Sequence, residues 1–174
     1  SLIMQALHPQ ALAGVWDHSS FREDLKGRLG RTAYFIAATT YGSTEMANNI
    51  IDKVNRIHTK ITGFDEFGKP YSANDPHLLA WVHLTETRSF MSAFEGYRQE
   101  KISIQEKDQY FLEMKSLGER MGANDLPCTY ADTENAISRY IPELYFGERA
   151  KSIIDLLENF PSHLAAKPFI KLIS

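Results

Sequence analysis

At 174 residues the chain suffices for one domain with a sizeable core, and 43% hydrophobic and 24% charged residues fit an ordinary globular protein. A net charge of −3, with lysines and arginines scattered, argues against a nucleic-acid partner, and no run of roughly eighteen apolar residues marks a membrane span. One cysteine, Cys128, rules out an internal disulfide or a thiolate metal knot, so a reducing compartment, the cytoplasm, is expected.

The opening run Leu2–Leu7 is apolar and lacks an initiator methionine, so residues of a longer chain are expected before Ser1. The pattern predicts helix to about Val15, with Pro9 starting or kinking it. Asp17, Ser19 and Ser20 are N-cap candidates for a short turn through Phe21 and Leu25. A helix is predicted from Arg28 to about Thr40, with Arg28 and Thr32 one turn apart, Arg31 beside them, and Gly42 as its stop. Ser43 or Thr44 caps the next helix, where Ala47, Ile51, Val54, His58 and Ile61 share a face, and Gly63 ends it.

Gly68, Pro70 and Ser72 mark a connector, read as a small hairpin or an ordered loop. Asp75-Pro76 starts a helix whose apolar residues nearly encircle it, which predicts the central, most buried helix. Its stripe Leu79, His83, Glu86, Phe90 and Phe94 carries a second histidine. Ser103 and Glu106 form a capping box ahead of a helix ending at Gly122. Leu126-Pro127 breaks the chain, a helix follows from about Asp132 to Tyr140, and a last amphipathic segment runs from Glu148 to Phe160 before Pro161 and Pro168. With no useful strand run, repeat or interior linker, the expected fold is all-α: one globular domain over residues 1–174 with about seven or eight helices.

Candidate chemistry lies in three places. His58 on its aliphatic stripe is either a core-edge histidine bonded to a carbonyl or a metal or haem ligand, since neutral imidazole is a strong iron donor. His83, between bulky apolar residues, is open to the same two readings. Arg28, Arg31 and Thr32 form either a solvated helix face or one wall of a pocket, where the arginines bind a carboxylate or propionate and Thr32 bonds oxygen. His8 and His18 line the same pocket or sit in turns. A His-Glu-x-x-His motif, an EF-hand loop, the Glu-x-x-His pairs of di-iron bundles, a phosphate-binding glycine loop and a nucleophile elbow are all absent.

Three strings together resemble the MpaB-type oxygenase family, which includes the rubber oxygenase catalytic domain of latex-clearing protein. They are Gly27-Arg28-Leu29-Gly30-Arg31-Thr32, Val54-Asn55-Arg56-Ile57-His58, and the run from Gly68 through Asp75-Pro76 to Trp81-Val82-His83. His8-Pro9, Asp17-His18-Ser19 and Leu126-Pro127 extend the likeness over about three quarters of the chain. The resemblance implies an all-helical fold, haem b with its iron, and dioxygen-dependent chemistry. It maps the proximal iron ligand onto His58 and the distal group onto Arg28, Arg31 and Thr32. Two positions depart from it: Asn55 stands where the family segment has arginine, and Arg31 stands where it has a lysine able to approach iron. Arginine stays protonated and ligates poorly, so an open or water-bound distal side is expected.

The leading expectation is a haem-dependent oxygenase acting on an apolar, lipid-like substrate. His58 holds the metal, Arg28, Arg31 and Thr32 are catalytic, and His8 and His83 contact the cofactor, with His83 also an alternative ligand. Two alternatives stay open: a non-catalytic helical domain that binds a hydrophobic small molecule or partner through Trp81, Phe90, Phe94 and Tyr97, and an oxygenase relative with another metal held by His58 and His83 together.

Overall fold

The segment after Asp75-Pro76 has too many apolar faces to lie on a surface, and the protein is built around it. The structure, a computed structural model, describes residues 1–98 and 101–159. Among these residues it has eight α-helices and one two-stranded hairpin, which agrees with the all-helical expectation. The central helix, α5 below, buries Leu78, Ala80, Trp81, Leu84, Thr85, Thr87 and Met91. The hydroxyls of Thr85 and Thr87 bond back to carbonyls of Trp81 and His83, so neither donor is orphaned in the core.

The opening run divides at Pro9 into α1, Leu2–Gln5, and α2, Pro9–His18, because a proline with no N–H is tolerated in a first turn but not beyond it. The next helix, α3, covers Leu25–Tyr41 and begins one turn earlier than its apolar pattern predicts. Asp24 caps it, its Oδ1 accepting the Gly27 N–H at 2.8 Å. Helix α4, Thr44–His58, starts at the Ser43 cap and stops well before Gly63. Strands β1, Thr62–Phe64, and β2, Pro70–Ser72, then pair antiparallel with Gly63 opposite Tyr71. Asp65 shapes the hairpin loop by accepting from the Phe67 and Lys69 amides at 2.9 and 2.8 Å, and Gly68 supplies the positive φ of 76° that the turn requires.

Helix α5, Pro76–Tyr97, is followed by α6, Ile104–Arg120, with the predicted capping box at Ser103 and Glu106. Helix α7, Tyr130–Arg139, starts two residues before its predicted position because Thr129 is its cap. A 3₁₀ turn, Ile141–Glu143, leads to α8, Glu148–Glu158. The expected end at Phe160, Pro161 and Pro168 lies outside the described residues. No helix among the described residues is long and apolar enough to cross a membrane.

Helix α5 packs against α1, α6 and α7. The main core joins Trp81, Leu84, Ala123, Leu126, Ala136 and Tyr140, and a second cluster joins Ala6, Leu12, Phe21, Ala150 and Ile153. Helices α3 and α4 differ from the rest. They pack chiefly against each other, and bury only Leu25, Ala38 and Ile51. Asn55 Nδ2 ties α4 to the end of α6 through the Arg120 carbonyl at 3.1 Å. A helix pair so lightly seated on the body leaves space beneath it.

Candidate functional site

That space is a cavity of about 430 Å³ walled by α2, α3, α4, β2 and the start of α5. Its size falls within the roughly 300–1,000 Å³ of small-molecule and cofactor sites. Val15, Ile57, Ile61, Leu78, Leu79 and Val82 give it an apolar wall. His58, Arg28, Arg31, His18 and Tyr71 bring polar groups to the same space. The combination of a mainly apolar wall and a few converging polar groups is that of an orienting ligand site.

His58 is the last residue of α4, where the apolar stripe of an amphipathic helix turns it inward. Its Nδ1 is buried and has no hydrogen-bond partner among the described residues. Burial holds its pKa below the ordinary histidine value, so the ring is neutral near pH 7 and keeps a bare nitrogen lone pair. An unsatisfied, neutral imidazole on a cavity wall suits a metal or haem iron.

Arg28 donates from Nη1 to Ser19 Oγ at 2.9 Å, which fixes its stem and leaves other guanidinium donors free for a ligand. Burial, then the neighbouring Arg31, lowers its pKa, yet a guanidinium remains charged. Arg31 is exposed and sits 3.4 Å from Asp24 Oδ2, a surface pair of little energetic weight. Two guanidiniums three residues apart on one helix can hold carboxylates at the cavity mouth. Thr32 is exposed and is not among the residues lining the cavity.

The two helix-borne histidines do not converge. His83 bonds to the Met114 backbone and lies against Gly118, where an added Cβ would come within 2.9 Å of its ring. It braces α5 against α6 and does not line the cavity. His8 is 2% exposed and caps α2, also off the cavity, with Trp81 and Tyr140 nearby. His18 does line it, with Nε2 3.2 Å from the Thr62 carbonyl.

The connector expected to be a hairpin or an ordered loop also brings Tyr71 to the cavity, a site residue absent from the sequence candidates. Its hydroxyl donates to Asp17 Oδ2 at 3.2 Å, and burial and Asp17 push its pKa up to about 12, so it stays a neutral donor. Gly63 is required opposite it, because a Cβ there would sit 2.7 Å from the Tyr71 oxygen. The available signal was weak, since Tyr71 is one of three aromatics in the connector, with Phe64 and Phe67.

Three buried imidazoles give the fold an acid limit. Burial lowers the pKa of His8 and His58, and that of His83 to about 4. The unfolded rings take protons near the ordinary value of about 6.5. This stability is therefore complete above about pH 6.5 and lost as pH falls towards the folded values. Glu86 opposes the loss, because burial raises its pKa and its folded carboxyl protonates first. His83 alone should cost on the order of 2 kcal/mol at pH 5 relative to neutral pH. Urea unfolding at pH 7 and pH 5 is expected to show a lower midpoint at pH 5, and equal midpoints would contradict neutral buried rings.

A family model described as ER-bound oxygenase mpaB/B'/Rubber oxygenase, catalytic domain, matches residues 1–174. No curated protein and no solved structure matches the chain.

Proposed function

The chain belongs to the mpaB/rubber oxygenase catalytic-domain family, and from that premise we propose that it is a haem-dependent oxygenase acting on an apolar, lipid-like substrate. The observation that carries the proposal is His58 on the wall of a cavity of about 430 Å³, an imidazole that burial keeps neutral and whose Nδ1 has no hydrogen-bond partner among the described residues. These residues fit haem b: His58 would give its iron a neutral imidazole nitrogen, and Arg28 and Arg31 would give cations for its two carboxylates. Bound haem supplies the iron that dioxygen chemistry needs.

The protein's own residues do the rest. Ile57, Ile61, Leu79 and Val82 give an apolar substrate its contact surface. Arg28, positioned by Ser19, anchors negative charge at the α3 side. Tyr71, whose hydroxyl donates its hydrogen bond to Asp17, adds its ring to the same wall. His83 braces α5 against α6 away from the cavity and takes no part in this proposal. Thr32, facing solvent, takes no part in this proposal.

Haem reconstitution of the purified chain should give a Soret band in oxidised and reduced states, and the loaded protein should consume dioxygen when given an unsaturated hydrocarbon. Absence of the band in both states would reject the assignment.

One observation favours a second reading. Phe90, Met91, Phe94, Ile102 and Tyr110 line another cavity of about 400 Å³, as a non-catalytic binder of a hydrophobic molecule would require. Trp81 does not join it, being wholly buried in the core. Native mass spectrometry separates the two: a bound lipid with neither haem nor metal favours the binder.

A further inference from the structure

Outside the cavity, three residues remote in sequence meet at one point. His8 caps α2, His77 stands in the first turn of α5, and Glu143 closes the 3₁₀ turn after α7. His77 Nε2 lies 3.0 and 2.9 Å from the two oxygens of Glu143, and His8 Nε2 lies 3.3 Å from Oε2. One donor atom from each residue falls within 4.8 Å of the others. We propose that His8, His77 and Glu143 form a binding site for a divalent transition-metal ion of the Zn²⁺ or Fe²⁺ class, separate from the cavity at His58.

The donor set is the first support. Two imidazoles and a carboxylate suit zinc and ferrous iron, whereas calcium and magnesium prefer oxygen alone. The state of His8 is the second. It is 2% exposed, and its Nε2 meets Glu143 Oε2 only at a long 3.3 Å. A buried Nε2 held by one long contact is better matched by a cation shared with Glu143 than by the carboxylate alone.

Preorganisation is the third. The His77 amide donates to Asp75 Oδ1 at 2.8 Å, and the His77 ring stacks on Tyr140 with centroids 4.5 Å apart. The Tyr140 hydroxyl donates to the His77 carbonyl at 2.9 Å, and the Tyr145 amide donates to the Leu7 carbonyl at 2.8 Å. These bonds hold all three donor-bearing segments in register before any ion arrives. His77 and Glu143 side chains are 53% and 40% exposed, so one side of the site opens to water. A three-ligand site with an open position can take a water or a small anion as its fourth ligand.

The full chain, stripped with a chelator, is titrated with Zn²⁺ against a chromophoric competitor, and with Co²⁺ for its visible bands. Wild type and His58→Ala are expected to bind one Zn²⁺ per chain equally tightly. His77→Ala and Glu143→Gln, both at partly exposed positions, are expected to weaken binding by more than roughly 100-fold, beyond what loss of an outer hydrogen-bond partner causes. Circular dichroism confirms that each variant is folded. Failure of wild type to take up about one equivalent overturns the proposal, as does wild-type affinity in either His77→Ala or Glu143→Gln. Loss of the ion in His58→Ala instead would place the metal in the cavity and equally overturn it.

Discussion

His58→Ala is expected to weaken haem binding by more than roughly 100-fold while leaving the helical circular dichroism unchanged. The two halves of this result have separate causes. His58 is the final residue of α4, so its side chain contributes little to helix formation, and its buried Nδ1 bonds to no described residue. Removing it therefore breaks no observed hydrogen bond, but takes a neutral imidazole away from the cavity lining. His83→Ala should behave in the opposite way. The ring at 83 is packed on Gly118 and bonded to the Met114 backbone, so its loss opens a gap between α5 and α6. Haem affinity should change little and stability should fall, since the cavity loses no lining group. A haem titration followed at the Soret band, with a melting curve for each variant, separates the two histidines. Equal haem loss in both variants would restore His83 as a ligand candidate.

Trp81→Ala is expected to cost about 3–5 kcal/mol, the largest stability effect of any single truncation proposed for this fold. Trp81 is fully buried in the main core, its indole N–H donates to the Gln5 carbonyl at 3.3 Å, and its ring lies 5.1 Å from that of Tyr140. Truncation empties the space where α1, α5 and α7 meet and leaves the Gln5 carbonyl short of a donor. For a chain of this length the loss corresponds to a fall in Tm of roughly 6–20 °C. Calorimetry on wild type and the variant measures it, and a fall of only a degree or two would mean that α5 is not the central support. Trp81→Phe should be milder, since most of the volume is kept.

Much of the fold follows from local chemistry visible in the chain. The caps at Ser43, Asp75 and Ser103 and the prolines at positions 9 and 76 mark helix starts because they satisfy, or lack, the first-turn N–H groups. The central place of α5 follows from apolar residues on every face. Boundaries were less legible where a cap lay outside the apolar pattern, as at Asp24 and Thr129. The site was half legible. His58, Arg28 and Arg31 do come to one cavity. His83 shares the apolar character of His58, but periodicity cannot say which neighbour a residue meets on a helix buried all round, and here it meets α6. Thr32 lies one turn from Arg28, yet turns to solvent because α3 buries little beyond Leu25 and Ala38. The meeting of His8, His77 and Glu143 had no local signal at all, since it arises from tertiary contacts across 66 and 135 residues.

The central proposal is that His58 holds the iron of a haem bound in the cavity. Haem titration of wild type and His58→Ala in parallel tests it most directly, with the Soret absorbance read against added haem per chain. Wild type is expected to saturate at one haem per chain with a sharp Soret band, and His58→Ala to show only the broad absorbance of free haem at the same concentrations. A wild-type titration that never saturates, or a His58→Ala curve that overlays wild type, would contradict the account.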